Sequence, residues 1–294
     1  MTDNIQEKAW AKLNLSLDVL GRLPGGYHEM KMVMQSASLC DEVFLERNGT
    51  GSITLRSSFV YLPADGRNLA YRAAEEFFKA AGFKNPGLSI RLKKRIPVGA
   101  GLGGGSTDAA AVLRGLNRMY GFPFGRVELE HLGEALGSDV PFCVAGGTRL
   151  AGGRGEIMEE LPPLPDCGIV ICKPPFPIRT PELFARIDGR RTRTHPDTAG
   201  LAAALEAGSL EDVARRMYNV FEEVLPAGCG EIGVIRQRLL DAGALGVVMS
   251  GTGSAVLGLF PGAAEAGAAR QALAERYREC FSAVPVGMLG IPTA

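Results

Sequence analysis

The chain has 294 residues, 39 of them glycine, with Lys+Arg and Asp+Glu balanced at 32 each and a pI near 6.8. A hydrophobic share of 46% excludes intrinsic disorder, and 18 prolines without an every-third glycine exclude collagen. The neutral balance leaves no basic field for nucleic acid, and the length fits one large domain or two smaller ones. Along 8–18, KAWAKLNLSLD alternates strictly. Ala9, Ala11, Leu13, Leu15 and Leu17 fall on one face; Trp10, Lys12, Asn14, Ser16 and Asp18 fall on the other. This predicts a half-buried strand with Lys12 and Asn14 side by side on its polar face. GRLPGGYH at 21–28 is a loop of turn formers, and strands are expected near 29–39, 42–47 and 52–57. Helical periodicity over 68–81 aligns Leu69, Ala73, Phe77 and Ala80 and stops at Gly82. LSIRLKKR at 88–95 alternates as a strand again.

A glycine-rich loop at 97–108 then leads into a helix at 109–119. A helix over 126–136 runs to Gly137-Ser-Asp-Val-Pro-Phe142 and a glycine-rich strand region reaching about 155. The prolines of 161–165 mark a connection between halves. CGIVICKP reads as a buried strand, and the polar stretch 189–198 as an exposed loop. Helices at 210–224, 230–242 and 263–278 and a last strand complete the chain. Between 241 and 265 no residue is charged, long enough to span a bilayer. Ser250-Gly-Thr-Gly-Ser254 divides that run into two strand-length pieces, so a buried hairpin is expected and no membrane span. Six scattered cysteines without a C-x-x-C pair, beside three histidines, predict neither a zinc site nor disulfides. Reduced thiols and an N-terminus without an apolar signal segment predict a cytoplasmic protein. Strand clusters mixed with helices, without regular βαβ alternation or internal repeat, predict an α+β protein of two lobes, 1–160 and 161–294.

Five glycines fall within seven positions of 99–105, followed by an alanine-rich helix with Ser106 and Thr107 at its start. Such a loop lets consecutive N–H groups converge on an anion, and the helix N-terminus adds partial positive charge. A bare turn needs one or two glycines, so a phosphate is the expected guest. Gly99-x-Gly101-x-x-Gly104 matches the dinucleotide fingerprint only formally, because the preceding RLKKRIP is basic. Gly105 stands where a P-loop requires lysine, and the protein-kinase motifs are absent. Asp139 alone would read as a helix cap, and Lys12 alone as a solvated strand lysine. Beside a phosphate loop they make sense as a base and an adjacent cation for phosphoryl transfer. The 250–254 turn reads either as a simple hairpin or as a backbone wall, with Gly251, Thr252 and Gly253 beside the transferring phosphate or substrate.

PVGAGLGGGSTDAAAVL resembles the central ATP-binding motif of the GHMP kinases, and MSGTGSAVLGLF resembles their C-terminal glycine motif. AKLNLSLDVLGRLPGGYHEM, GSDVPFCVAGG and KPPFPIRTPELF resemble one family within that superfamily, the 4-diphosphocytidyl-2-C-methyl-D-erythritol kinases. The order and spacing of the motifs match over essentially the whole chain. The resemblance implies a two-lobed GHMP fold, an N-terminal ATP-binding lobe and a C-terminal α/β-sandwich lobe with the site in the cleft between them. It implies ATP-dependent phosphorylation of the 2-hydroxyl of 4-diphosphocytidyl-2-C-methylerythritol in non-mevalonate isoprenoid biosynthesis. It makes Lys12 and Asp139 the catalytic pair. Pro97, Val98, Gly99, Ala100, Gly101, Leu102, Gly103, Gly104, Gly105, Ser106 and Thr107 become the ATP-phosphate loop. Tyr27, His28 and Phe184 would hold the cytosine; without the resemblance they read as core aromatics and a loop histidine. Asn14 and Thr180 would help position substrate, and Asn68 would face the adenine side. Mg²⁺ is expected to arrive mainly on ATP oxygens with no fixed protein cage, Ser106 and Asp108 being the side chains near it. The implied partner is the small-molecule substrate, the chain acting as a monomer or weak homodimer. Two rivals remain: a homoserine- or mevalonate-type GHMP kinase, which needs no Tyr27–His28–Phe184 clamp, and a nucleotide sensor, which needs no Lys12–Asp139 pair.

Overall fold

A computed structural model describes residues 3–190 and 194–291. Strand β1 (Asn4–Arg22) and strand β2 (His28–Arg47) form a long antiparallel pair, so the turn-rich loop shrinks to 23–27. The two strands expected at 29–39 and 42–47 are one. Trp10 pairs with Cys40 and Ala11 with Ala37, so β2 absorbs Ser38 and Leu39 as a bulge and the ladder resumes. β3 (Ile53–Ser57) leads through α1 (Leu69–Ala80) to β4 (Leu88–Lys93), which pairs with both β3 and β2. The buried face of α1 is Ala70, Ala73, Ala74, Phe77 and Phe78, a stripe rotated from the expected one, and Ala80 is exposed. That i, i+3, i+4, i+7 set gives α1 a wider face than a single line of residues.

Helix α2 (Gly104–Met119) begins inside the glycine loop, five residues before the expected start, and buries 12 of its 16 residues. Then come α3 (Arg126–Glu134), α4 (Val140–Ala145), β5 (Thr148–Gly152) and β6 (Ile157–Glu160). The second half contains β7 (Gly168–Lys173), α5 (Thr180–Asp188), α6 (Thr198–Glu206) and α7 (Leu210–Arg215). The helix expected over 210–224 is broken after α7, because β8 (Tyr218–Asn219) pairs with Ser16 and Leu17 of β1 before a 3₁₀ turn at Val220–Val224. α8 (Gly230–Asp241), β9 (Gly246–Met249), β10 (Val256–Phe260), α9 (Ala263–Ala274), β11 (Glu279–Ala283) and β12 (Pro285–Val286) follow. The uncharged 241–265 segment is thus a strand–turn–strand unit, and among the described residues no helix is long and apolar enough to cross a membrane. Residues 191–193 of the polar 189–198 stretch lie outside the described residues; His195 within it meets the Asp18 carboxylate at 2.9 Å.

The fold is α+β. One sheet runs β3-β4-β2-β1-β8, with β5 and β12 also paired to β2 and β6 paired to β5; the other runs β11-β7-β10-β9. β8 and β12 reach the first sheet from the second half of the chain. Strand β1 is not half-buried along 9–18: Lys12, Asn14, Ser16 and Asp18 are buried along with Ala9, Ala11, Leu13, Leu15 and Leu17. Nor do its apolar residues share one environment. Ala9 and Leu17 join a core with Phe77, Leu113 and Leu116, whereas Ala11, Leu13 and Leu15 pack with Ile169, Ile171, Leu257 and Leu259 of the second sheet. Ladder irregularities at Trp10/Ala11 and Asn14/Ser16 reset the alternation between these stretches.

Candidate active site

Strand β1 carries Lys12 along the wall of a cavity of about 620 Å³. Its Nζ donates to Asn14 Oδ1 at 3.0 Å and lies 3.3 Å from Asp139 Oδ2. Asp139 occupies the N-cap position of α4, yet its side chain makes no capping bond. A helix that starts Val-Pro has one fewer N–H to satisfy, so the carboxylate is left for the lysine. Lys12 is 6% exposed and Asp139 33%, so the cation is sheltered while the carboxylate opens to the cavity. Asn14 is buried behind Lys12, where its amide orients the ammonium and its N–H donates to Ser250 Oγ at 3.2 Å.

The glycine loop lies against both β1 and the 250–254 turn. Lys12 N–H donates to Leu102 O, Ala255 N–H to Ala100 O (each 3.1 Å), and Ser250 Oγ to Gly101 O at 2.9 Å. Gly101 and Gly103 have φ of +74° and +67°, and no side chain fits at either. A Cβ on Gly101 would come within 2.0 Å of Ser250 O, and one on Gly103 within 2.7 Å of Lys12 Cγ. The close approach therefore brings two backbones and the Lys12 side chain together at the start of α2. Pro97, Val98, Gly99, Ala100, Leu102, Gly104, Gly105 and Ser106 line the cavity, as do Gly251, Thr252 and Gly253. Thr107 turns inward and its hydroxyl donates to Gly104 O at 3.0 Å. Asn68 reaches the cavity edge with its amide engaged: Oδ1 caps α1 at Ala70 N–H and Nδ2 donates to Pro63 O.

At the other end Thr180 and Thr252 hydroxyls meet at 2.8 Å. Phe184, on α5, stacks on His28 with ring centroids 4.5 Å apart and is braced edge-on by Phe221 at 5.0 Å. His28 Nε2 contacts Asp188 at 2.8 Å. Arg22 also donates to Asp188, and the guanidinium and then His28 hold that carboxyl at about 2. The structure does not bring Tyr27 onto Phe184. Tyr27 is 55% exposed, with the Arg154 guanidinium 4.8 Å over its ring. Arg154 itself lines the cavity, loosely held by Glu134 and Glu156 at 3.8 Å, and the sequence reading missed it. Its only signal was a cation between two glycines at 153 and 155.

A buried triad was also missed. Lys94 Nζ lies 2.5 Å from both Asp41 Oδ2 and Asp108 Oδ2 and donates to Gly104 O at 3.3 Å. Burial, then the neighbouring Asp41 charge, raise the Asp108 carboxyl against the pull of Lys94. Its Oδ1 is buried without a partner. Asp108 is thus enclosed with a lysine already on it, which does not suit it to hold a cation from the cavity. Among the described residues no group of three His, Cys, Asp or Glu could hold a metal. Ser106, at the start of α2, is the loop hydroxyl that lines the cavity.

The GHMP kinases N terminal domain model matches residues 68–147, and the GHMP kinases C terminal model matches 201–279. The chain is 42% identical to a 4-diphosphocytidyl-2-C-methyl-D-erythritol kinase of Syntrophomonas wolfei, over 96% of this chain and 98% of that protein. It is 46% identical to one of Pelotomaculum thermopropionicum, over 92% of each. The chain belongs to the 4-diphosphocytidyl-2-C-methyl-D-erythritol kinase family. It is a small-molecule kinase. A crystal structure of 4-(cytidine 5'-diphospho)-2C-methyl-D-erythritol kinase superposes with TM-score 0.82 at 34% identity, over 96% of this chain and all of the other. A homoserine kinase from Cytophaga hutchinsonii shares the fold at TM-score 0.75 and 20% identity. The two family models enclose the glycine loop, Asp139 and the 250–254 turn of this kinase. Lys12, Asn14, Tyr27, His28, Thr180 and Phe184 fall outside both.

Proposed function

We propose that this kinase transfers the γ-phosphoryl group of ATP to the 2-hydroxyl of 4-diphosphocytidyl-2-C-methyl-D-erythritol, giving the 2-phosphate and ADP, in the methylerythritol phosphate route to isoprenoids. The observation that carries the reading is the Lys12–Asp139 pair at 3.3 Å, in one cavity with a loop of converging backbone at the start of α2. In this reading the loop N–H groups and the α2 N-terminus hold the nucleotide phosphates. Asp139 accepts the proton of the substrate hydroxyl as its oxygen attacks phosphorus, and ADP departs on the opposite side. Lys12 neutralises the charge that develops on the transferred group. Mg²⁺, when bound with ATP, supplies further neutralisation at the phosphate oxygens, with Ser106 as its protein neighbour.

Phe184 and His28 offer the cytosine an aromatic face and a polar edge, and Tyr27 joins them by leaving Arg154. The Arg154 cation, between Tyr27 and the loop that borders Ser138, suits the diphosphate of such a substrate. The six free thiols, five of them buried, suit the cytoplasm.

ADP release measured over 4-diphosphocytidyl-2-C-methyl-D-erythritol, homoserine and mevalonate tests the substrate. Turnover with the first alone is expected; turnover with homoserine or mevalonate instead would transfer the chain to a rival kinase class. Asp139→Asn should lower kcat by about 10²–10⁴ while substrate KM stays within a few-fold. Near-normal kcat in that variant would refute the base.

A further inference from the structure

Arg114 sits in the middle of α2 among Ala, Val and Leu, ten residues beyond the glycine-loop end of the helix, and is almost wholly enclosed. A guanidinium placed there must be met by acceptors on every side. The acceptors it finds belong to two other elements. Nη1 donates to Cys143 O at 2.7 Å and to Val144 O at 3.4 Å, the carbonyls that end α4. Nη2 donates to Lys8 O of β1 at 2.8 Å, and Glu7 stands 3.7 Å from Nε.

One anchor lies a hydrogen bond from Asp139, and the other lies on the strand that carries Lys12. Cys143 N–H donates to Asp139 O at 3.1 Å, so the α4 carbonyl held by Arg114 is one hydrogen bond from the backbone of the base. Lys8 precedes Lys12 by four residues on the same strand, across the Trp10/Ala11 irregularity in the ladder to β2. We propose that Arg114 is a positioning residue for phosphoryl transfer, holding Asp139 and Lys12 at their working separation by tying α4 and β1 to the helix that opens in the phosphate loop. The proposal rests on the Lys12–Asp139 reading. A rigid planar fork suits the task, because its N–H donors point in fixed directions and reach the α4 carbonyls and Lys8 O from one side chain, whereas an ammonium is a compact point charge on a flexible stem.

The test uses Arg114→Lys, which keeps a buried cation, and Arg114→Ala, assayed with and without millimolar methylguanidinium. Folded fraction is taken from circular dichroism and thermal melts. Relative to wild type, Arg114→Lys should lose at least tenfold in kcat per folded molecule, with KM for ATP and for the diphosphocytidyl substrate changed less than about twofold. Methylguanidinium should restore part of the kcat of Arg114→Ala and leave its melting temperature nearly unmoved. Wild-type kcat in folded Arg114→Lys would overturn the proposal, as would a loss confined to KM. Failure of both variants to fold would assign Arg114 to folding alone. A wild type without turnover on this substrate would refute the function itself and the positioning role with it.

Discussion

Lys12 divides its ammonium between Asn14 and Asp139, and the two contacts have different consequences. The Asn14 amide, itself buried, fixes where the cation sits; the Asp139 carboxylate, one-third exposed, stays reachable from the cavity. A fully buried pair would hold both charges in mutual satisfaction and resist a substrate hydroxyl, whereas this pair is sheltered on the lysine side only. Gly101 sets the second constraint at this scale. Gly101→Ala would place a methyl group on Ser250 O and force a left-handed backbone on alanine, a strain of about 1–3 kcal/mol. The loop and the 250–254 turn would separate, and KM for ATP should rise about tenfold or more, read from ADP release at varied ATP. An unchanged KM would mean that the loop holds phosphate without the turn behind it.

Helix α2 is where burial and charge meet. Asp108 and Lys94 tie its first turn to β2 and β4 through Asp41, and Lys94 also reaches Gly104 O. Because burial raises the Asp108 carboxyl above its unfolded value near 3.8, the native state binds a proton there that the unfolded chain has already lost. Its contribution is therefore favourable in acid and declines as pH rises from about 4 toward neutrality. Asp108→Asn removes that slope: melting temperatures of variant minus wild type should become more positive between pH 5 and pH 8. A difference flat with pH would show that Lys94 keeps Asp108 ionised throughout.

Much of this region was legible beforehand. The glycine run, its helix and the alternation that pairs Lys12 with Asn14 are local patterns. The triad was not, since Asp41 of β2 and Lys94, just past β4, stand 53 residues apart and no local pattern pairs them. Helix α4 was also hidden, because VPFCVA is uniformly apolar and too short to show a period, so nothing local marked the element that Asp139 begins. Arg114 carried no signal of its own in the sequence, and only the fold reveals that it meets carbonyls of α4 and of Lys8. His28 and Phe184, far apart in sequence, could be joined only through resemblance.

At the scale of the molecule, the second half of the chain is woven into the first sheet. β12 pairs with Ala37 and Ser36 of β2, Gln35 donates to Val286 O, and Leu289 N–H donates to Ala145 O at the end of α4. Truncation after residue 284 removes these ties from beneath Asp139. Melting temperature should fall, by about 2–4 °C for each kcal/mol lost in a chain of this size, and kcat per folded molecule should fall with it. A lower melting temperature with unchanged kcat would limit the tail to stability. Two-residue strands such as β8 and β12 carry no sequence pattern, which is why the division into halves at 160 left them out. Strand β1 carries this weave furthest: Lys12 faces the cavity, with Asn14 buried behind it, from a strand whose Ala11, Leu13 and Leu15 are packed into the second sheet. Swinging the lobes apart would strip those side chains from their partners and expose them to water. The strand that carries Lys12 therefore offers no hinge. Away from that strand the 58–67 segment borders the cavity, through Leu62, Pro63 and Arg67, so any opening belongs to the rim while the floor under Lys12 stays still.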